Sequence, residues 1–136
     1  MKYYLYSFIS KIAHFIFGKQ KIKLLLEYGY WKVKKLQERI FTNDHYEFLY
    51  TEVFGMDTDF YRNKKILDIG CGPRGSLEWA DNAGLRVGLD PLVTKYVKLG
   101  IGIHAMDYVQ GFSEDIPFPG NYFDVVSSFN SLARVS

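Results

Sequence analysis

The sequence predicts an α/β fold in which N-terminal helices precede a parallel sheet. The apolar run "KKILDIG", residues 64–70, ends in glycine, as buried parallel strands commonly do. Two further runs, "RVGLD" at 86–90 and "FDVVSSF" at 123–129, are strand-like, and helical patterns lie between them. Because strand–helix–strand units place their strands in parallel, the carboxyl ends should meet at one edge, where ligands bind in such sheets.

The remaining elements complete this arrangement. Residues 107–111, "DYVQG", are a weakly signalled third strand, and residues 76–84 and 91–100 are predicted helices, with Pro91 in the first turn of the latter. We therefore expect a helical cap region at residues 1–60 and a Rossmann-like α/β domain at residues 61–136.

The sequence of the N-terminal third predicts three helices. The first has an apolar surface with a narrow polar arc, formed by Ser7, Ser10, Lys11, His14 and Gly18. The second runs from Ile22 to Arg39. A third begins near Asn43 or Asp44, where Asp44 and Glu47 have the spacing of a capping box, and ends at Gly55. Charged side chains are expected on the solvent face of the second helix, namely Lys32, Lys34, Lys35, Glu38 and Arg39.

The first seventeen residues are apolar, but Lys11 and His14 interrupt them and no small-residue cleavage site follows. The stretch is also shorter than the roughly 20 residues that a membrane span needs. Two interpretations remain open: a helix that packs on the domain or on a partner, or an interfacial helix that contacts a membrane through residues 1–23, assisted by Lys19, Lys21 and Lys23.

The composition is that of one globular domain. Hydrophobic residues make up 48% and charged residues 24%, and the formal net charge of +2 does not favour a nucleic-acid partner. The single cysteine, Cys71, can form no internal disulfide, and no Cys/His cluster has metal-ligand spacing. These observations predict a cytoplasmic protein without a metal site.

The pattern Gly-x-Gly-x-x-Gly, at Gly70, Gly72 and Gly75, lies between the first strand and the segment after it. Glycines at these positions allow a tight turn and let a ligand approach the backbone. Asp90, at the end of the second strand, is placed to accept hydrogen bonds from both hydroxyls of an adenosine ribose. This role is common to nicotinamide dinucleotides and S-adenosylmethionine, so Asp90 does not separate them.

A second acid, Asp68, precedes the first glycine by two residues. A carboxylate beside a bound pyrophosphate costs about 1–4 kcal/mol at close range. S-adenosylmethionine instead carries an ammonium and a sulfonium, both cationic, so Asp68 favours this ligand. If Asp68 only caps the backbone amides of the turn, the choice of ligand stays open.

Four segments in order, "ILDIGCGPRGSLEWA", "VGLDPL", "SEDIPFPGNYFDVV" and "SFNSL", resemble the class I S-adenosylmethionine-dependent methyltransferases. The resemblance is greatest to the type 11-like group, and it covers residues 64 to about 132. It implies a loop that binds the methionyl end of S-adenosylmethionine and an acidic residue that binds the ribose hydroxyls. It also implies apolar residues that pack against the adenine and polar groups at the edge of the adenine ring. The positions implied are Asp68, Gly70, Cys71 and Gly72, then Asp90, Pro91 and Leu92, then Phe112, Ser113 and Glu114.

Asn130 matches the region nearest the transferred methyl group, although no catalytic residue is identified. Two positions depart from the family pattern. Phe112 stands where the family often has an aspartate for the adenine amine, so ring contact or Glu114 would have to replace that hydrogen bond. Arg134 stands where a histidine is common near the substrate.

The resemblance implies a seven-stranded sheet of order 3-2-1-4-5-7-6, of which this sequence supplies the first four strands. We therefore expect a C-terminally truncated enzyme, from an interrupted gene or as a fragment, or a short protein that completes its sheet with a partner. The exposed fourth strand would then favour self-association. The expected activity is methyl transfer to a small-molecule or lipid- or sugar-linked acceptor. The alternatives are an inactive cofactor-binding fragment and a nicotinamide dinucleotide-binding domain.

Five residues have further expectations. His45 and Tyr46 are either lid residues over the ligand or packing residues. Trp79 is predicted in the core, and His104 in solvent. Cys71 is expected to pack within the loop, since no neighbouring base is evident.

Overall fold

The computed structural model describes the backbone of residues 2–129 and the side chains of residues 18–129. Its helices and strands are α1 (Lys2–Glu38), α2 (His45–Tyr50), β1 (Lys65–Ile69), β2 (Leu85–Asp90), α3 (Val93–Val97), β3 (Asp107–Gln110) and β4 (Val125–Ser127). Short 3-10 turns occur at Glu52–Phe54, Thr58–Tyr61 and Ile101–Ile103.

The four strands form one sheet of order β3-β2-β1-β4, in which every pair is parallel. This confirms the predicted α/β fold. In the register, Asp68 of β1 lies opposite Gly88 of β2 and Ser127 of β4. The carboxyl ends of the strands therefore meet at one edge, as expected. Within the described residues β4 is an edge strand, and its pairing with another chain stays a prediction.

Three apolar clusters build the core. On one side, Tyr96 of α3 and Ile101 pack with Phe41, and Leu24, Tyr28 and Trp31 of α1 close this cluster. A second cluster joins Tyr50 of α2 to β1 and the following turns, and a third surrounds Leu67, Val87 and Leu89. Burial of each such side chain stabilises the fold by about 1.5–3 kcal/mol. Through the first cluster α1 is attached to the α/β domain.

The two predicted N-terminal helices are one continuous helix, α1, so the expectation of a separate second helix that begins at Ile22 is wrong. Gly18 disfavours a helix by only about 1 kcal/mol relative to alanine, and no proline interrupts the segment. The helix ends at Glu38, and Arg39 adopts a left-handed conformation with φ of 59°. The expected arrangement of side chains along residues 2–17 lies outside the described side chains.

The predicted third helix is shorter than expected. The α-helix covers His45–Tyr50, a 3-10 turn follows, and Gly55 ends the segment with φ of 67°. The capping box is not formed, because Asp44 itself has a helical conformation and its side chain makes no cap hydrogen bond. A residue with helical backbone angles does not direct its side chain to the first free amides as an N-cap does.

Residues 76–84 form turns rather than the predicted helix. Their backbone bonds, from Glu78 N to Gly75 O and from Ala80 N to Leu77 O, span only three residues. The turns lead directly into β2, which begins at Leu85. Helix α3 begins at Val93, so Pro91 precedes it and does not occupy its first turn.

None of the helices, as far as their residues are described, contains an apolar stretch long enough to cross a membrane.

Candidate functional site

The glycine loop leaves β1 and folds back over the end of β2. Gly70 and Gly72 adopt φ of 72° and 63°, a region that side chains disfavour. The amide of Gly70 donates to Leu89 O at 2.7 Å, and that of Cys71 donates to the same oxygen at 3.3 Å. The loop is therefore attached to both central strands, with its backbone at the carboxyl edge of the sheet.

A cavity of about 730 Å³ lies over this edge. Its floor consists of residues 69–72 of the loop and residues 89–91 at the end of β2, and residues 111–114 form one side. Its roof comes from the N-terminal region, with Gln20, Lys23, Leu24, Leu26, Glu27 and Trp31 of α1 and His45, Tyr46 and Leu49 of α2. The cavity thus lies between the two parts of the chain that the sequence distinguishes.

Asp90 lies in the floor with 4% of its surface exposed. One carboxylate oxygen accepts the amide of Gly72 at 3.1 Å, and the other accepts that of Leu92 at 2.9 Å. Burial raises the pKa of Asp90 to about 6, the two amides oppose the rise, and the nearby charge of Glu27 adds to it. Because each oxygen retains a further lone pair, the oriented carboxylate can still accept ligand hydroxyls.

Asp68 does not line the cavity, contrary to the expectation of a ligand-facing acid. Its side chain is 2% exposed and accepts hydrogen bonds from Ser76 Oγ at 2.5 Å, Ser127 Oγ at 3.0 Å and the Tyr50 hydroxyl. Burial raises the pKa of Asp68, and these hydroxyl donors oppose the rise. The alternative expectation is also not observed, since the described amide bonds of the loop go to Leu89 O and Asp90.

The strand register explains this difference between the two acids. Asp68 is paired with Gly88, so Asp90 extends two residues further towards the carboxyl edge. Two residues of a strand span about 6.6 Å. Asp90 therefore reaches the cavity, while Asp68 stays beneath the loop and fixes it to β4 and α2 through its hydroxyl partners.

Most of the other predicted site residues line the cavity together, namely Gly70, Cys71, Gly72, Pro91, Phe112, Ser113 and Glu114. Leu92 does not, because its side chain is buried with Tyr96 beneath the floor and only its amide holds Asp90. Asn130 lies outside the described residues. Whether these positions bind a cofactor stays a prediction at this point.

The thiol of Cys71 is buried, and burial raises its pKa well above the ordinary value. It packs over Gly88, where a Cβ atom would approach the sulfur within 2.6 Å. This arrangement agrees with packing within the loop, since a buried thiol with a raised pKa is a poor nucleophile.

Arg74, in the glycine loop, makes a contact that the sequence did not indicate. Its guanidinium donates to both carboxylate oxygens of Glu38 at 2.6 and 2.7 Å and to Thr42 O at 3.0 Å. It also lies over the rings of Trp31 and Phe41, with centroid distances of 5.3 and 5.2 Å. Glu38, expected on a solvent face, therefore connects the end of α1 to the loop. No local pattern reveals a pair 36 residues apart.

His45 and Tyr46 both lie in the roof, and burial raises the pKa of Tyr46 to about 12. Trp79 packs in the core with Tyr50 and Tyr61, as predicted. His104 is not a free solvent residue: its Nδ1 lies 2.6 Å from the Tyr108 hydroxyl, and its ring is adjacent to Gly75.

Most of the cavity lining is apolar, and most of its charged side chains are acidic. Among the described lining residues, Glu27, Asp90 and Glu114 are acidic, Lys23 is the one basic chain, and His45 adds an imidazole. The described part of the chain contains no group of three or more His, Cys, Asp or Glu side chains arranged to hold a metal ion. The lining fits an organic ligand with hydroxyl groups and positive charge.

A family model described as a methyltransferase domain matches residues 67–136, from the middle of β1 onwards, which is just over half of the chain. No curated protein and no solved structure matches it. With the parallel sheet and the glycine loop, this match shows that the chain belongs to the methyltransferase domain family, in the class I S-adenosylmethionine-dependent fold.

Proposed function

We propose that this methyltransferase-domain chain binds S-adenosylmethionine over the floor of the cavity and aligns its methyl group with an acceptor that enters beneath α1. The observation that carries the proposal is the joint placement of the glycine loop and the oriented Asp90 carboxylate in one cavity with an acidic lining. The family match supports methyl transfer in general.

The residues of the cavity fit the parts of this cofactor. Asp90 would accept the ribose hydroxyls, since its two oxygens are already oriented by the amides of Gly72 and Leu92. Pro91 and Phe112 offer apolar surfaces for the adenine, and Ser113 and Glu114 offer polar groups at its edge. The backbone of Gly70, which lines the cavity, would receive the methionyl end.

The charge of the lining supports a cationic nucleoside over a dinucleotide. A diphosphate placed on the loop would lie near Glu27, and a close pair of like charges costs about 1–4 kcal/mol. An ammonium or a sulfonium is instead attracted by this carboxylate. The selection therefore depends on Glu27, because Asp90 suits the ribose of either ligand and Asp68 is buried beneath the loop.

When bound, S-adenosylmethionine supplies an electrophilic methyl group. The chain then has to hold the acceptor in line and keep water away. The apolar roof residues Leu24, Trp31 and Leu49 suit the exclusion of water. Tyr46, with a pKa of about 12, keeps its proton and would donate a hydrogen bond to the acceptor, and the imidazole of His45 lies in the same roof.

Isothermal titration calorimetry with S-adenosylhomocysteine and with NAD tests the cofactor. We expect S-adenosylhomocysteine to bind and NAD not to bind. In Asp90→Asn the affinity should fall roughly 30-fold, because hydrogen bonds to a charged group contribute about 1.5–3 kcal/mol. Asp81→Asn, at an exposed turn position away from the cavity, is the matched control and should bind normally.

Tighter binding of NAD, or unchanged affinity in Asp90→Asn, would refute the proposed cofactor. Turnover is measured separately, as S-adenosylhomocysteine released with small-molecule, lipid-linked and sugar-linked acceptors. Binding without turnover against any of these classes would support the inactive cofactor-binding alternative.

A further inference from the structure

Helix α1 exposes a row of apolar side chains on the face that does not pack against the core. We call it the outer stripe, and it consists of Ile22, Leu25, Leu26, Tyr30, Val33 and Leu36, which are between 53% and 81% exposed. At 3.6 residues per turn these positions fall within an arc of about 140°. Six large apolar side chains in one continuous row are more than scattered surface residues.

The opposite face of α1 is already occupied. Leu24, Tyr28 and Trp31 pack against the cluster around Tyr96, and Glu38 pairs with Arg74 of the glycine loop. Attachment of the helix to the domain therefore does not need the outer stripe. Nothing in the described residues buries it.

Lysines border the outer stripe on both sides. Helical geometry places Lys21 and Lys32 along one border and Lys19 and Lys23 along the other, and all four are exposed. Of the two acids in the sequence of α1, Glu27 follows Lys23 by one helical turn and lines the cavity, and Glu38 binds Arg74. The exposed surface of the described part of α1 is therefore apolar in the middle and basic at its edges.

The charge of the whole chain is divided in the same way. Residues 1–39 contain nine Lys or Arg against two Glu, a formal net charge of +7, and the remaining residues contain eight against thirteen, a charge of −5. The overall value of +2 conceals this asymmetry. Such a division is typical of proteins that bring one region to an anionic surface.

We propose that the outer stripe docks α1 on an anionic lipid surface, with its apolar side chains in the headgroup boundary and its lysines among the phosphates. An apolar row with lysine borders is the pattern of helices that lie in a membrane interface. Long lysine side chains can reach the headgroups while their methylene groups stay in apolar contact. One face of the helix stays on the domain, so α1 lies along the surface.

A second copy of the chain is a poorer occupant of the same stripe. Where two helices pair through an apolar stripe, acidic residues beside the stripe of one helix form salt bridges with basic residues beside the stripe of the other. Two outer stripes would bring Lys21 and Lys32 of each copy together, and the sequence of α1 places no acid on that border. An anionic lipid surface supplies the missing negative charge.

The stripe also meets the cavity. Lys23 lies at its border and Leu26 lies within it, and both side chains also line the cavity. The cavity would therefore open beside the bound lipid, where a lipid-borne methyl acceptor could enter. This consequence rests on the proposed methyltransferase function, whereas the docking itself does not.

Flotation of the full chain with vesicles tests the docking without any cofactor. One set of vesicles is phosphatidylcholine alone, and in the other roughly a third of the lipid is phosphatidylglycerol. We expect binding to the anionic set only, weakened by added salt, since lysine–phosphate attraction is screened. Leu25→Asn/Leu36→Asn and Lys21→Glu/Lys32→Glu should each weaken binding at least tenfold.

The matched control is Val97→Asn/Ile103→Asn, which changes two side chains of 62% and 75% exposure outside the stripe and should leave binding unchanged. Circular dichroism melting of each variant shows that it is folded. Equal binding to neutral vesicles, or unchanged binding of both stripe variants, would overturn the proposal. So would a dimer in sedimentation velocity that the stripe variants abolish without any vesicle binding. S-adenosylhomocysteine titration on the same preparations separates failure of docking from failure of the proposed function.

Discussion

The floor of the cavity is fixed by hydrogen bonds to buried carboxylates, whereas its roof is attached through apolar packing and one ion pair. In the floor, Asp90 accepts hydrogen bonds from two backbone amides, and beneath the loop Asp68 accepts hydrogen bonds from three side-chain hydroxyls. The roof helix packs on the first core cluster, and Glu38 binds Arg74. Floor interactions are short, buried and directional, so we expect changes there to affect folding. Changes in the roof should affect ligand entry first.

The largest expected effect is at Gly75 in the loop. Its φ is +77°, and an added Cβ would lie 2.7 Å from His104 Cγ, whose ring is held by Tyr108. Gly75→Ala should lower the free energy of unfolding by about 3 kcal/mol, from the left-handed conformation and from overpacking. Gly55→Ala has a similar φ of +67° and nothing within 4 Å, so it should lose only about 1 kcal/mol. Urea denaturation measures both, and equal losses would mean that the His104 ring moves aside.

The next effect concerns the hydroxyls around Asp68. Tyr50→Phe keeps the ring in its cluster but removes one donor to a buried carboxylate. The free energy of unfolding should fall by about 1–3 kcal/mol. Tyr122→Phe, nearer the surface, should change it by less than about 0.5 kcal/mol. A loss no larger than that of Tyr122→Phe would argue against Asp68 as the anchor of the floor.

The pH dependence of ligand binding should reveal Asp90. Its pKa rises from 3.8 to about 6 in the folded chain. Between these values the folded state holds a proton that the unfolded state has released, so the contribution of Asp90 to stability falls as the pH rises through this window. Hydroxyl groups bind better to the ionised carboxylate. S-adenosylhomocysteine affinity should therefore weaken as the pH falls below about 6, by at most tenfold per pH unit.

Calorimetric titrations at several pH values check this expectation. The residual binding of Asp90→Asn should lack this dependence, because the amide does not titrate. Constant affinity of the unaltered chain on both sides of the window would show that Asp90 does not contact the ligand in its ionised form.

The smallest effect is expected in the roof. Glu38→Gln removes the charge that faces Arg74 and should weaken S-adenosylhomocysteine binding several-fold, with little change in melting temperature. Arg74→Gln should do the same, and the double variant should be no weaker than either single one, because both lose the same contact. Glu52→Gln, at an exposed position, is the control. Additive effects of the two variants would show that the pair does not act as a unit.

The sequence by itself determined the sheet, the glycine loop and the position of Asp90. Apolar runs that end in glycine, and an acid at the end of the second strand, are local patterns. They specify which backbone conformations are allowed and which side chains must be buried. The same local reasoning failed for residues 76–84 and for the break in α1, where packing against the core outweighs weak propensities.

Only the tertiary structure decided which acid reaches the ligand and what covers the cavity. The register of β1 and β2 places Asp90 two residues beyond Asp68, and the packing of α1 brings Glu27 and Trp31 over the loop. The Arg74–Glu38 pair joins positions 36 residues apart. Such contacts depend on how whole elements pack, and packing is a property of residues distant in the chain, which no local pattern specifies.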